Sequence, residues 1–214
     1  MKRLAALLLS CVLAAQPACA DKVEDAIAEQ LTTAAYRDDA GTMRELLAGG
    51  IDPNLIDPKG STALTLAIHY GNSRVVDVLL ASPKIDVNRP NRADETAIML
   101  AAIRGDLVLV RRLYKMRAQI NRHGWTPLHY AVSGPDQGVS AWLIGEGADV
   151  NARAANGNTP LMMAAKYGPY DLAEQLLASG ADAKARNEQG LTAADFAQAA
   201  GRDGLQTLLR AAER

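Results

Sequence analysis

Apolar residues in this chain come in short clusters that glycine cuts off, and the clusters pair. In "GNTPLMMAAKYG" (157–168) a turn-forming Gly-Asn precedes Thr-Pro, and an apolar run then stops at glycine. "YDLAEQLLASG" (170–180) follows, with Leu172, Leu176 and Leu177 on one face at the helical period. The pattern predicts two helices joined by a tight turn. Thr159 is placed as the N-cap of the first, and Pro160 fits its first turn because it has no N–H to lose. Gly168 and Gly180 are expected to end the two helices through their tolerance of positive φ. An extended segment, "ADAKARNEQG", then leads to the next threonine.

The same arrangement recurs at "GSTALTLAIHYG" (60–71), "GWTPLHYAVSG" (124–134) and, degenerately, "GLTAADFAQAAG" (190–201). Thr62, Thr96, Thr126, Thr159 and Thr192 are spaced by 34, 30, 33 and 33 residues. Each is followed 17 positions later by leucine, at 79, 113, 143, 176 and 209; Leu46 lies 33 before Leu79. A period near 33 is the mark of a repeat architecture in which no unit covers its apolar face alone.

These residues resemble the ankyrin repeat over essentially the whole chain beyond its first twenty residues. "GWTPLHYA", "GNTPLMMAA" and the tails "LIGEGADVNAR" and "LLASGADAKAR" carry the likeness. The resemblance implies an all-α solenoid of about six helix-turn-helix units with extended finger loops. By register, residues 21–57 form an N-terminal capping unit, 58–187 four central repeats, and 188–214 a C-terminal cap. Only His129 fills the Thr-Pro-Leu-His position of the family, which implies a structural hydrogen bond to the next repeat; Thr65, Met99, Met162 and Asp195 stand there elsewhere.

The first twenty residues read differently. A basic "MKR", a twelve-residue apolar run and a small-x-small "ACA" (18–20) predict a cleaved export signal with Asp21 as the mature N-terminus. A periplasmic location is expected, with full secretion as the alternative. Both cysteines, Cys11 and Cys19, lie in that leader, and lipidation of either stays open because neither is preceded by a full lipoprotein motif. Without Lys2 and Arg3 the chain carries 21 basic and 24 acidic residues, net −3. That balance argues against general nucleic-acid or membrane-surface binding.

No nucleophile motif, phosphate loop or metal-ligand spacing appears, so no catalytic residue, metal or cofactor is expected. Asp52, Asp86 and Asp149 recur at the repeat period and read as turn residues. The chain is expected to be non-enzymatic and monomeric and to bind a protein through its concave finger and first-helix face, in a protective or an inhibitory, immunity-type role. Self-assembly through end repeats, and a hydrolase or lyase built on His123, are the rival readings. The resemblance places Lys59, His69, Tyr70, Arg92, Arg104, Lys166 and Tyr167 on the binding face.

The 30-residue interval between Thr96 and Thr126 adds three more candidates. Eight residues separate Asn54, Asn88, Asn151 or Lys184 from the next threonine, but Asn121 precedes Thr126 by only five. A notch three residues deep is therefore expected in the row of fingers, bordered by Arg122, His123 and Trp125, with Trp125 as an exposed apolar anchor. Trp142 falls at a second-helix packing position and is expected to fill space between repeats.

Overall fold

The computed structural model describes residues 17–214, with side chains from Asp21 onward. The expected leader lies outside the described residues apart from the backbone of 17–20, which opens the first helix. Among the described residues there are twelve helices, which divide into two compact units, one ending at Ala97 and one spanning Ile98–Arg214.

The first unit contains α1 (Pro17–Tyr36), α2 (Ala40–Ala48), α3 (Ala63–Tyr70) and α4 (Ser73–Leu80). Helices α1 and α3 pack side by side, as do α2 and α4, so each helix pair covers the next. The buried set follows the periodicity: Leu31 and Met43 from the first pair, Ile68, Val75 and Leu79 from the second. Asn72 joins the pairs by donating from Nδ2 to the Ala35 and Tyr36 carbonyls at 2.7 and 2.9 Å, which satisfies the open C-terminus of α1. Asp38 accepts from the Val75 N–H at 2.9 Å and from Arg74 at 2.8 Å. The Arg74 guanidinium is the main reason its carboxyl lies below the ordinary range.

The second unit holds α5 (Ala97–Ile103, from its second residue), α6 (Leu107–Lys115), α7 (Pro127–Ala131), α8 (Gln137–Gly145), α9 (Pro160–Tyr167), α10 (Tyr170–Ala178), α11 (Ala193–Ala199) and α12 (Asp203–Ala212). The first helices pack in succession, α7 on α9 and α9 on α11. Thr62 and Thr159 cap their helices as expected, each accepting the N–H three residues on, and the residue at that third position varies the chemistry. Thr62 and Thr65 exchange hydroxyl and backbone bonds, while Asp195 accepts the Thr192 N–H at 2.8 Å. At Thr159 the Met162 sulfur takes the acceptor's place, 3.4 Å from the N–H.

His129 fulfils the role that the resemblance implies. Its Nε2 lies 3.0 Å from the Asn158 carbonyl oxygen, which can only accept, so Nε2 carries the proton. Nδ1 then accepts from the Thr126 N–H at 3.2 Å. One ring fastens the start of α7 to the finger before α9. Its burial is the largest influence on its titration and holds its pKa below the ordinary value of 6.5, against backbone carbonyls and the Asp149 carboxylate that favour the charged form.

The end of α9 differs from the sequence expectation. Gly168 ends the helix in extended backbone, φ −78° and ψ 164°, not in the left-handed region. A glycine is required there for another reason: a Cβ would come within 2.9 Å of the Val132 carbonyl oxygen and 3.0 Å of the Ala164 Cα. Gly180 does adopt positive φ, as expected.

The C-terminal helix pair has the composition of a cap. Leu205 and Leu209 turn inward, while Arg210 bridges Asp195 and Glu213, at 2.5 and 3.0 Å. Arg202 donates to the Ala164 and Ala165 carbonyls, the counterpart of Asn72 in the first unit.

Candidate functional site

The fingers are built on a repeated pair of short bonds. Asp52, Asp86, Asp149 and Asp182 each accept from the backbone N–H two residues ahead, at 2.9–3.0 Å, which closes an Asx turn. These recurrent carboxylates therefore hold loops in shape. Asn54, Asn121 and Asn151 then reach the following finger, accepting from the N–H of Asp86, Asp149 and Asp182 at 2.8 Å. Asn121 keeps this role despite the three-residue deficit, so the shortening is confined to the tip.

Full-length tips fold back on themselves. Asp57 donates its N–H to Ser61, Asn91 to Glu95, Ala154 to Asn158 and Asn187 to Leu191, all at 2.9–3.0 Å. Tips also zip to one another within each unit: Arg92 N–H reaches the Gly60 carbonyl, and Glu188 N–H the Asn156 carbonyl. The segment 119–126 is a series of bends with no hydrogen-bonded turn. Gly124, at φ +78°, faces open space where a Cβ would go, whereas a Cβ built on its counterpart Gly157 would come within 3.0 Å of the Glu188 backbone nitrogen. The expected notch is present in the second unit.

Beside it lies a pocket of about 360 Å³ lined by Ile103, Trp125, His129, Tyr130, Ser133, Met163 and Tyr167. The first helices of three successive repeats provide these walls, because each turns its last-turn side chain to the same face. Trp125 is half-buried and packs edge-on against His129 and Tyr130, with ring centroids 5.3 and 6.3 Å apart. It forms part of a wall and does not stand out as an exposed anchor. Tyr167 is 57% exposed, and Lys166 Nζ sits 5.0 Å from its ring centre. Of the other candidates in this unit, Arg104 and His123 are exposed, while Arg122 is half-buried with Nη1 3.9 Å from the Met99 sulfur. Arg122 thus leans inward, away from the place a rim cation would hold.

A second cluster belongs to the first unit. Tyr36 and Tyr70, 58% and 52% exposed, meet edge to face at 4.9 Å, and His69 packs edge-on against Tyr70 at 5.0 Å. Lys59 and Arg37 line the same cleft of about 380 Å³. Arg92 is a strut, donating from Nη1 to the Pro58 carbonyl at 2.9 Å. Tyr36, Tyr130 and Met163 were not singled out by sequence: α1 lacks the Thr-Pro start that fixes register, and the other two read as ordinary helix positions. Trp142 packs between repeats as expected, edge-on to Tyr114 at 5.2 Å.

Among the described residues no group of three or more His, Cys, Asp or Glu side chains converges as metal ligands, and no helix is long and apolar enough to cross a membrane. The site offers apolar surface and aromatic edges to a ligand, with cations at its margin.

The chain is 33% identical over 113 residues to the rat ankyrin repeat and SAM domain-containing protein 6, covering 51% of this chain and 13% of that protein. It is 32% identical over 125 residues to palmitoyltransferase AKR1 of Lachancea kluyveri, covering 56% and 17%. Its match thus spans a small part of these relatives. Among solved structures, it is similar to a chain in the complex of the Bd0816 predatory endopeptidase from Bdellovibrio bacteriovorus with immunity protein Bd3460. That likeness has a TM-score of 0.71 at 27% identity and covers 85% of this chain and 97% of the other. Models of ankyrin repeats in three copies match residues 8–91, 31–122 and 83–154, and one of many copies matches 143–197, so the chain belongs to the ankyrin-repeat family.

Proposed function

We propose that this chain is an exported, non-enzymatic binder of another protein, acting in an inhibitory, immunity-type role in the periplasm. Ankyrin repeats are protein–protein interaction modules, and such a fold supplies surface and not chemistry. One observation carries the reading: the aromatic pocket beside the shortened finger, open to solvent and rich in Tyr and Trp, the residue types that dominate binding hot spots. Periplasmic export is supported by the basic start, apolar run and "ACA" of residues 1–20. The inhibitory role is supported by the likeness to a chain from a complex between an endopeptidase and an immunity protein. A partner that is itself a hydrolase fits that likeness.

The experiment is co-purification from periplasmic extract with the unmodified chain and with Tyr130→Ala/Tyr167→Ala, followed by an activity assay of the captured hydrolase. The expected result is one partner, inhibited when bound and lost from the variant. Equal recovery of that partner by both proteins removes the pocket from the interface. Intact mass of the exported material checks the leader: a chain beginning at Asp21 is expected, and one that retains Met1 or carries lipid on Cys19 contradicts it.

A further inference from the structure

We infer that the pocket beside the shortened finger receives an aromatic side chain flanked by carboxylates on a loop of the partner; this rests on the protein-binding reading above. The pocket has little polar capacity left to orient a small polar metabolite. Both nitrogens of His129 are engaged, Nδ1 with Thr126 and Nε2 with the Asn158 carbonyl. What remains is the Ser133 hydroxyl, whose oxygen is buried in the wall without a hydrogen-bond partner. A rotation about one torsion turns it toward the polar edge of a guest ring, a phenol hydroxyl or an indole N–H. The other walls are Ile103, Met163 and three aromatic rings, and these recognise a flat apolar body.

Charge at the mouth sets the flanks. Lys166 stands over the Tyr167 ring, and exposed Arg104 follows the lining residue Ile103. No carboxylate lines the pocket, and nearby Asp136 is engaged in capping α8 through the Gly138 N–H at 2.8 Å. The lip therefore favours acidic neighbours and opposes a cationic guest, although an aromatic cage alone would accept one. A volume of about 360 Å³ is at the lower end of ligand pockets, roughly 300–1,000 Å³, and has room for a ring and part of its backbone. The shortened finger carries the lining residue Trp125, and a Cβ built on the adjacent Gly124 would meet no atom within 4 Å, so no neighbouring tip lies against that side of the wall.

The test uses three blocked tripeptides, Glu-Tyr-Asp, Lys-Tyr-Lys and Glu-Gly-Asp, titrated into the ¹⁵N-labelled chain. Its two indole N–H signals are the readout: Trp125 lines the pocket, and Trp142, packed against Tyr114, is the internal control. Glu-Tyr-Asp is expected to shift the Trp125 signal saturably and leave Trp142 in place. Lys-Tyr-Lys should bind roughly two- to five-fold more weakly for each reversed charge, the size of an exposed ion pair, and Glu-Gly-Asp should give no shift. Equal binding of the two tyrosine peptides overturns the acidic flanks, and an absent or equal response to all three overturns the inference entirely. If the captured partner still depends on Tyr130 and Tyr167 in that case, the protein-binding reading survives and only the chemistry of the guest is wrong.

Discussion

Replacing His129 by alanine tests how the repeats are fastened. The substitution removes the Nδ1 acceptor of the Thr126 N–H and the Nε2 donor to Asn158. The Asn158 carbonyl keeps the Ala154 N–H at 2.9 Å; the Thr126 hydroxyl, 2.9 Å from Nδ1, loses its acceptor but can rotate, whereas the Thr126 N–H is left as a fixed orphan. That orphan costs about 1–3 kcal/mol, the lost second bond about 1 kcal/mol, and the emptied ring volume beside Trp125 about 1 kcal/mol more. The sum, about 4 kcal/mol, is a large share of the 5–15 kcal/mol typical of a domain. Urea denaturation followed by helical circular dichroism measures it. The pH dependence gives the sharper criterion. Burial holds the folded pKa below the ordinary 6.5, so the unfolded chain binds the extra proton first. The stabilisation by the neutral ring is full above pH 6.5 and is lost as pH falls toward the folded value. The gap between the parent and His129→Ala should therefore be widest near pH 7.5 and narrow toward pH 5. A gap that stays constant or widens in acid refutes the assignment of a neutral, Nε2-protonated bridge.

The remaining predictions concern helix ends and caps. Thr159→Ala should cost about 0.5–1 kcal/mol in the same urea assay, at the low side for an N-cap because its bond to the Met162 N–H is 3.4 Å long. Gly168→Ala should destabilise by roughly 1–3 kcal/mol through collision with the Val132 carbonyl, and a neutral result would show that the following turn can move aside. Deleting residues 188–214 removes the Arg210–Asp195–Glu213 cluster and uncovers α9 and α10; light scattering should detect aggregation, and a soluble product with unchanged melting temperature contradicts the capping role.

Much of the fold was legible because threonine, leucine and glycine recur in register; that register located the helix starts and the short finger, while the role of His129 came from the resemblance to the ankyrin repeat. Gly168 shows the limit of such reading. Glycine after a helix signals positive φ by frequency, but here its cause is a carbonyl of the preceding repeat, a contact that no local pattern records. The binding face was legible in part for a similar reason. Register named Trp125 and Tyr167, but the direction of a long side chain depends on its neighbours. Arg92 became a strut to Pro58, and Arg122 turned toward the Met99 sulfur. Tyr36 escaped notice because its unit lacks the motif that would have aligned it with Tyr70.

The central claim is that a protein partner docks on the face that carries Tyr167. A photo-crosslinking amino acid placed at position 167, with position 108 on α6 as the control, tests it most directly, since Val108 is 80% exposed yet lines none of the described pockets. Irradiation in the native extract should give one discrete adduct from position 167 and none from position 108. The position-167 adduct should also disappear when Tyr130 is replaced by alanine. Adducts of equal yield from both positions, or a position-167 adduct indifferent to Tyr130, would contradict the account.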